Sequence, residues 1–216
     1  MRILYIDTSS SYLYAAIAED SRLLCEVKKE FGTSLSEEAL PEIVNLFTTT
    51  NLTAKDIDKI IVVNGPGSFT GIRIGITIAK VYAWSLNIPI TTITSLEAMM
   101  LSSKASTAIV PMIDARRRYV FSAIYDENKE VILKPQHIKM DDLNKELEKL
   151  SNYTIITKDE LEEYEDKEEY DPDILKIISY FKDKEPINPH AVNPDYLKLT
   201  EAEESKLNQW LLNQKE

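Results

Sequence analysis

The chain has 216 residues, 44% of them hydrophobic and 28% charged, which is enough apolar material for one large core or two small ones. Its net charge is −11, but residues 159–173 (DELEEYEDKEEYDPD) hold ten acids and one lysine, so about −2 remains elsewhere, which argues against a broad basic surface for RNA phosphates. The single Cys25 excludes an internal disulfide, no charged-then-apolar leader opens the sequence, and the longest uncharged run, residues 81–96, is too short to span a membrane; the expectation is a soluble protein of the reducing cytoplasm.

Residues 2–7, 12–18 and 23–28 are β-type segments separated by polar turns, which predicts a three-stranded meander. Ser34 and Glu37 fit the S-x-x-E capping pattern, and Leu40, Ile43, Val44 and Phe47 recur at helical spacing over 36–50, with Pro41 expected to kink that helix near its start. KIIVVN (59–64) is a continuous apolar run of buried-strand type. A glycine-rich turn, a long apolar helix over 70–86, a parallel strand at 89–93 and a helix opened by Ser95 follow it. Residues 1–104 thus read as a βββαβαβα lobe, a mixed sheet with helices on its faces.

The second half repeats the first. With an offset of 107, IDTSSSYLYAAIAE overlays IDARRRYVFSAIYD, so that Asp7 falls on Asp114, Tyr12 on Tyr119, Ala16 on Ala123 and Ile17 on Ile124. A repeated strand, aspartate and hairpin implies two related lobes whose opening turns face a common cleft; chance likeness of two amphipathic strands is the alternative. A strand at 130–137, a helix at 141–150, the strand YTIIT, the acidic run and a helix at 173–181 complete a shortened second lobe over 105–199. The acidic run reads as a solvated loop, with a docking tail as the other reading. Thr200 with Glu203 caps a closing helix over 200–216, with Leu207, Trp210 and Leu211 on one face.

Four of the five glycines, Gly65, Gly67, Gly71 and Gly75, lie within NGPGSFTGIRIG. Glycines after a buried strand permit a tight turn and close backbone approach, and Ser68 or Thr70 can cap the helix that follows, whose free N–H groups favour an anion. The spacing is neither G-x-x-x-x-G-K-[ST] nor G-x-G-x-x-G, and a strand-to-helix corner built only for packing is an equal reading. On the helix over 70–86, Ile72, Ile74, Ile76, Ile78, Val81, Tyr82 and Trp84 cover most of the circumference, with Arg73 and Lys80 the only charges. One sheet cannot bury every side of it, so either the helix over 36–50 or another protein covers the rest.

GPGSFTGIRIG resembles the most characteristic segment of the bacterial TsaB (YeaZ) proteins. IDTSS (6–10), TSLEAM (94–99), IDAR (113–116) and PDYLKLTEAE (194–203) resemble further marks of that family in the same order, so the resemblance spans residues 1–203. It implies an actin/hexokinase-like α/β fold and a catalytically silent subunit. Such a subunit pairs with TsaD, with ATP-hydrolysing TsaE joining, in forming N6-threonylcarbamoyladenosine at position 37 of tRNAs that read ANN codons. It further implies a helix-to-helix interface through Ile74, Ile78, Val81 and Tyr82, homodimerisation in isolation, only indirect contact with tRNA, and no cofactor of its own, with ATP or ADP belonging to the assembly.

Leu35 and Ser36 stand where the family commonly carries a His-Ser pair. Ser95 and Met99 stand where the sibling TsaD carries the H-x-x-x-H pair that holds its metal, and a hydroxyl and a thioether do not replace two imidazoles; no metal and no peptidase activity are expected. The set that could meet an anion or nucleotide is Asp7, Thr8, Ser9, Gly65, Gly67, Ser68, Thr70, Gly71, Arg73, Asp114 and Arg116. Asp7, Thr8 and Ser9 resemble the first phosphate turn of actin/hexokinase-like kinases, so an independent nucleotide-dependent kinase or ATPase is the competing function.

Overall fold

The computed structural model describes residues 1–198, and the helix expected over 200–216 lies outside the described residues. The first half runs β1 (Arg2–Asp7), β2 (Tyr12–Glu19), β3 (Arg22–Glu30), α1 (Leu35–Thr50), β4 (Lys59–Val63), α2 (Phe69–Leu86), β5 (Ile90–Ile93) and α3 (Ser95–Ser102). The second runs β6 (Ala108–Asp114), β7 (Tyr119–Tyr125), β8 (Val131–Lys139), α4 (Met140–Leu147), β9 (Tyr153–Thr157), β10 (Lys167–Glu169) and α5 (Ile174–Phe181).

Both sheets have the same order. It is β3-β2-β1-β4-β5 in one and β8-β7-β6-β9-β10 in the other, with the first three strands antiparallel and the remaining pairs parallel. The duplicated hairpin is therefore a duplicated lobe. Its shortening falls in the helices: α4 has 8 residues where α1 has 16, and the stretch between β9 and β10 carries no helix where the first lobe carries α2.

The alternation of strand side chains divides the interior into three clusters. On β1, Leu4 and Ile6 face outward into a core shared with α1 and α2, while Ile3 and Tyr5 face inward. On β6, Ile109 faces inward, and Val110 and Met112 face outward toward α4. The inner cluster lies between the sheets and is filled by α3 and α5. These two helices are exchanged: α3 packs on β6, β7 and β9, whereas α5 packs on β1 and β2. After α5 the chain also returns to the first lobe. Ile187 bridges Ile90, the Lys59 ammonium donates to the carbonyls of Lys182 and Lys184, and Lys80 donates to those of His190 and Val192. Residues 174–198, expected within the second lobe, thus largely serve the first.

Several local expectations change. On α1 the buried stripe is Leu35, Ala39, Ile43, Leu46 and Phe47, while Leu40 and Val44 face outward at 47% exposure each. Ser34 makes no side-chain cap; its hydroxyl donates to the Phe31 carbonyl instead, and α1 continues through Pro41 to Thr50. The cap of α3 is Thr94, one residue before Ser95, in a reciprocal box with Glu97. The acidic segment is not simply a solvated loop, because β10 lies within it and Leu161 and Tyr170 are buried.

Candidate functional site

Two concave regions and one open face hold the residues that sequence reasoning selected. The first is a cleft of about 720 Å³ between the lobes, lined by Ser9, Gly67, Ser68, Asp114 and Arg116 among others. The matching turns at its edge are built alike: the Ser9 N–H donates to Asp7 Oδ1 at 2.8 Å, and the Arg116 N–H donates to Asp114 Oδ1 at 2.8 Å. Their burial differs sharply. Asp7 is 2% exposed, whereas Asp114 is open to solvent. The turn after Asp114 carries Arg116, Arg117 and Arg118 at φ of 64°, 55° and 62°, three left-handed residues in succession without a glycine. Arg118 pairs with Asp141 at 2.9 Å and with Glu163 at 2.5 Å, leaving Arg116 as the turn's cation that lines the cleft.

The glycine-rich turn has an evident packing role. A Cβ on Gly67 would overlap the Ser9 carbonyl, one on Gly71 the Thr8 carbonyl, and one on Gly75 the Thr8 hydroxyl. The β1–β2 turn consequently lies flush on the start of α2. The Thr8 hydroxyl donates to the Gly71 carbonyl at 2.7 Å and accepts from the Gly75 N–H at 3.0 Å, and the Ser68 N–H donates to the Ser9 carbonyl at 2.6 Å. Ser68, not Thr70, caps α2, accepting from the Gly71 N–H. Gly65 packs against Asp195, and Arg73 lies over the Phe69 ring at 3.7 Å and donates to the Tyr196 hydroxyl at 2.7 Å. Of the eleven residues proposed to meet an anion, Thr8, Gly65 and Gly71 are taken up in packing, and Thr70 and Arg73 lie along an outer groove.

Beneath the cleft is a second, smaller cavity of about 50 Å³, which brings Asp7, Ser95 and Met99 together with Tyr14, Tyr170 and Asp159. Burial pushes the Asp7 carboxyl above its usual range, partly offset by the Ser9 N–H. Burial raises Asp159 as well, and the neighbouring charge of Asp114 adds to it, while the Asp114 N–H opposes the shift. Tyr14, Tyr170 and Asp159 were missed in the sequence. Tyr14 was legible, since an antiparallel hairpin sets it opposite Asp7; Asp159 and Tyr170 were hidden among ten acids. Among the described residues no three His, Cys, Asp or Glu side chains converge as metal ligands.

The open face is formed by α1 and α2. Their outer groove, about 470 Å³, is lined by Ser36, Leu40, Phe69, Ile74 and Ile78 among others. Val81 is 57% exposed on its flank, whereas Tyr82 is half-buried, with its ring 6.0 Å from that of Phe47. Leu35, at the position of the family histidine, is a core side chain.

The full chain is 31% identical to the TsaB protein of Bacillus subtilis, aligned over 100% of both chains, and is 32% identical to that of Escherichia coli over 68% of this chain and 69% of that one. The chain belongs to the TsaB (YeaZ) family. Both relatives are described as tRNA threonylcarbamoyladenosine biosynthesis proteins. Residues 29–171 also match the family model of TsaD, the tRNA N6-adenosine threonylcarbamoyltransferase. YeaZ from Pseudomonas aeruginosa has the same fold, with a TM-score of 0.72, 19% identity, and coverage of 91% of this chain and 99% of that one. The fold is the actin/hexokinase-like one, with two lobes that each open βββα. No helix among the described residues is long and apolar enough to cross a membrane.

Proposed function

We propose that this TsaB-family chain acts in the formation of N6-threonylcarbamoyladenosine at position 37 of tRNAs reading ANN codons, as a catalytically silent cytoplasmic subunit. It docks on TsaD through α1 and α2, with TsaE joining the assembly and tRNA touched only indirectly. In isolation the same face pairs with a second copy. ATP or ADP belongs to the assembly and not to this chain alone.

The observation that carries this reading is the uncovered apolar face. Leu40, Val44, Phe69 and Val81 are each 47% to 57% exposed on α1 and α2, and Leu40 and Phe69 line one groove with the half-buried Ile74 and Ile78. The kinase reading has less support, because Asp7 faces the small cavity and does not line the larger cleft.

Val81→Asp tests the proposal. Covering one such aliphatic side chain contributes roughly 1.5–3 kcal/mol, and a charge in its place costs several more once desolvated. Pull-down with TsaD should therefore weaken strongly while the melt of the isolated variant, compared at matched concentration, changes little. Unchanged capture would remove Val81 from the interface. Binding of Mg-ATP to the isolated chain would favour the kinase reading.

A further inference from the structure

The small cavity is walled from both lobes. Asp7 and Tyr14 come from β1 and β2, Lys158 and Asp159 follow β9, and Tyr170 follows β10. Asp7 Oδ1 accepts from the Ser9 N–H at 2.8 Å, and the buried Tyr5 hydroxyl lies beside the same carboxyl. The Tyr170 hydroxyl is buried without a hydrogen-bond partner in the protein, and it is close enough to Asp7 to feel its charge. A buried hydroxyl costs free energy unless something in the cavity satisfies it.

The wall selects what that can be. It carries two carboxylates and one ammonium, a formal charge of −1 that one added monovalent cation balances. Apart from the Met99 thioether, the donors that face the cavity are oxygens, a hard set that disfavours transition metals.

We propose that this cavity binds one alkali cation, potassium or sodium, between the Asp7 carboxylate and the Tyr170 hydroxyl oxygen. The ion ties β1 of the first sheet to the segment after β10 of the second, so its occupancy strengthens the junction of the lobes. Chelators of divalent metals leave it in place. The site does not depend on the TsaD-docking reading, which concerns the opposite side of the first sheet.

The full chain is to be melted in potassium, sodium, lithium and choline chloride at one ionic strength. A saturable rise in Tm of about 2–4 °C in potassium or sodium over choline is expected, abolished in Asp7→Asn and reduced in Tyr170→Phe. Rubidium- or thallium-soaked crystals should show an anomalous peak beside Asp7. Superimposable melts in all four chlorides overturn the proposal, as does a water without anomalous signal at that place. If Asp7→Asn does not fold, Tyr170→Phe and the anomalous peak decide.

Discussion

Burial holds the Asp7 carboxyl above the usual carboxylate range, against the pull of the Ser9 N–H. The folded chain therefore keeps that proton more tightly than the unfolded one. The group's contribution to stability is full below its unfolded pKa of about 3.9 and is lost as pH rises through the folded value. Asparagine keeps an oxygen for the Ser9 N–H without a charge to bury. In alkali-free buffer, Asp7→Asn should accordingly gain stability relative to the parent as pH rises from below the carboxylate range to neutral, followed by thermal melts; a gap that ignores pH would show that Asp7 ionises freely in the fold. Glycine offers a second test at this scale. Gly32 has φ of 54° with open space around it, whereas Gly67 combines φ of 152° with the Ser9 carbonyl in the place of a Cβ. Gly32→Ala should cost about 1 kcal/mol and Gly67→Ala about 3 kcal/mol in denaturant titrations. The sequence located both the glycine cluster and the paired aspartates. It could not tell which backbone the glycines admit, because the partner carbonyls of Thr8 and Ser9 lie some sixty residues away in the chain.

Elements were legible where one physical signal dominated. Alternating or continuous apolar runs located β1, β2, β4 and β9 to within a residue or so, and α2 follows directly from its apolar run and the serine before it. The face of α1 was misread because Leu40 and Val44 share the spacing of the true stripe but lie one position round the helix, on the side that α2 leaves open. Hydrophobicity marks both core and interface, so spacing alone does not separate them. Substitution does: Ile43→Ala removes a fully buried side chain and should destabilise by about 2–5 kcal/mol, while Leu40→Ala should stay within about 1 kcal/mol. If Leu40 belongs to the docking face, its variant should instead weaken TsaD capture. The short strand β10 escaped notice because Lys167–Glu169 has no apolar pattern; it joins the sheet as an edge, where backbone pairing with β9 suffices.

At the scale of the molecule, the duplicated hairpin gave away the two-lobe plan, and the identical strand order of the sheets follows it. The exchange of α3 and α5 was not legible, since nothing local says which of two similar sheets a helix will cover. Its energetic result is one shared inner core, with Tyr5, Ile93 and Leu96 from the first half packed among Ile109, Tyr125 and Ile177 from the second. Calorimetry should therefore show a single transition whose calorimetric and van't Hoff enthalpies agree, and two resolved peaks would mean that the lobes melt separately. The plan also has a consequence for stoichiometry. The first lobe has an outer layer of two helices with an open groove, whereas the second devotes the corresponding stretch to an acidic segment. If α1 and α2 are the docking face of the proposed function, that face makes the subunit monovalent through it: a pair forms there and stops, without growing into rings or filaments as subunit concentration rises.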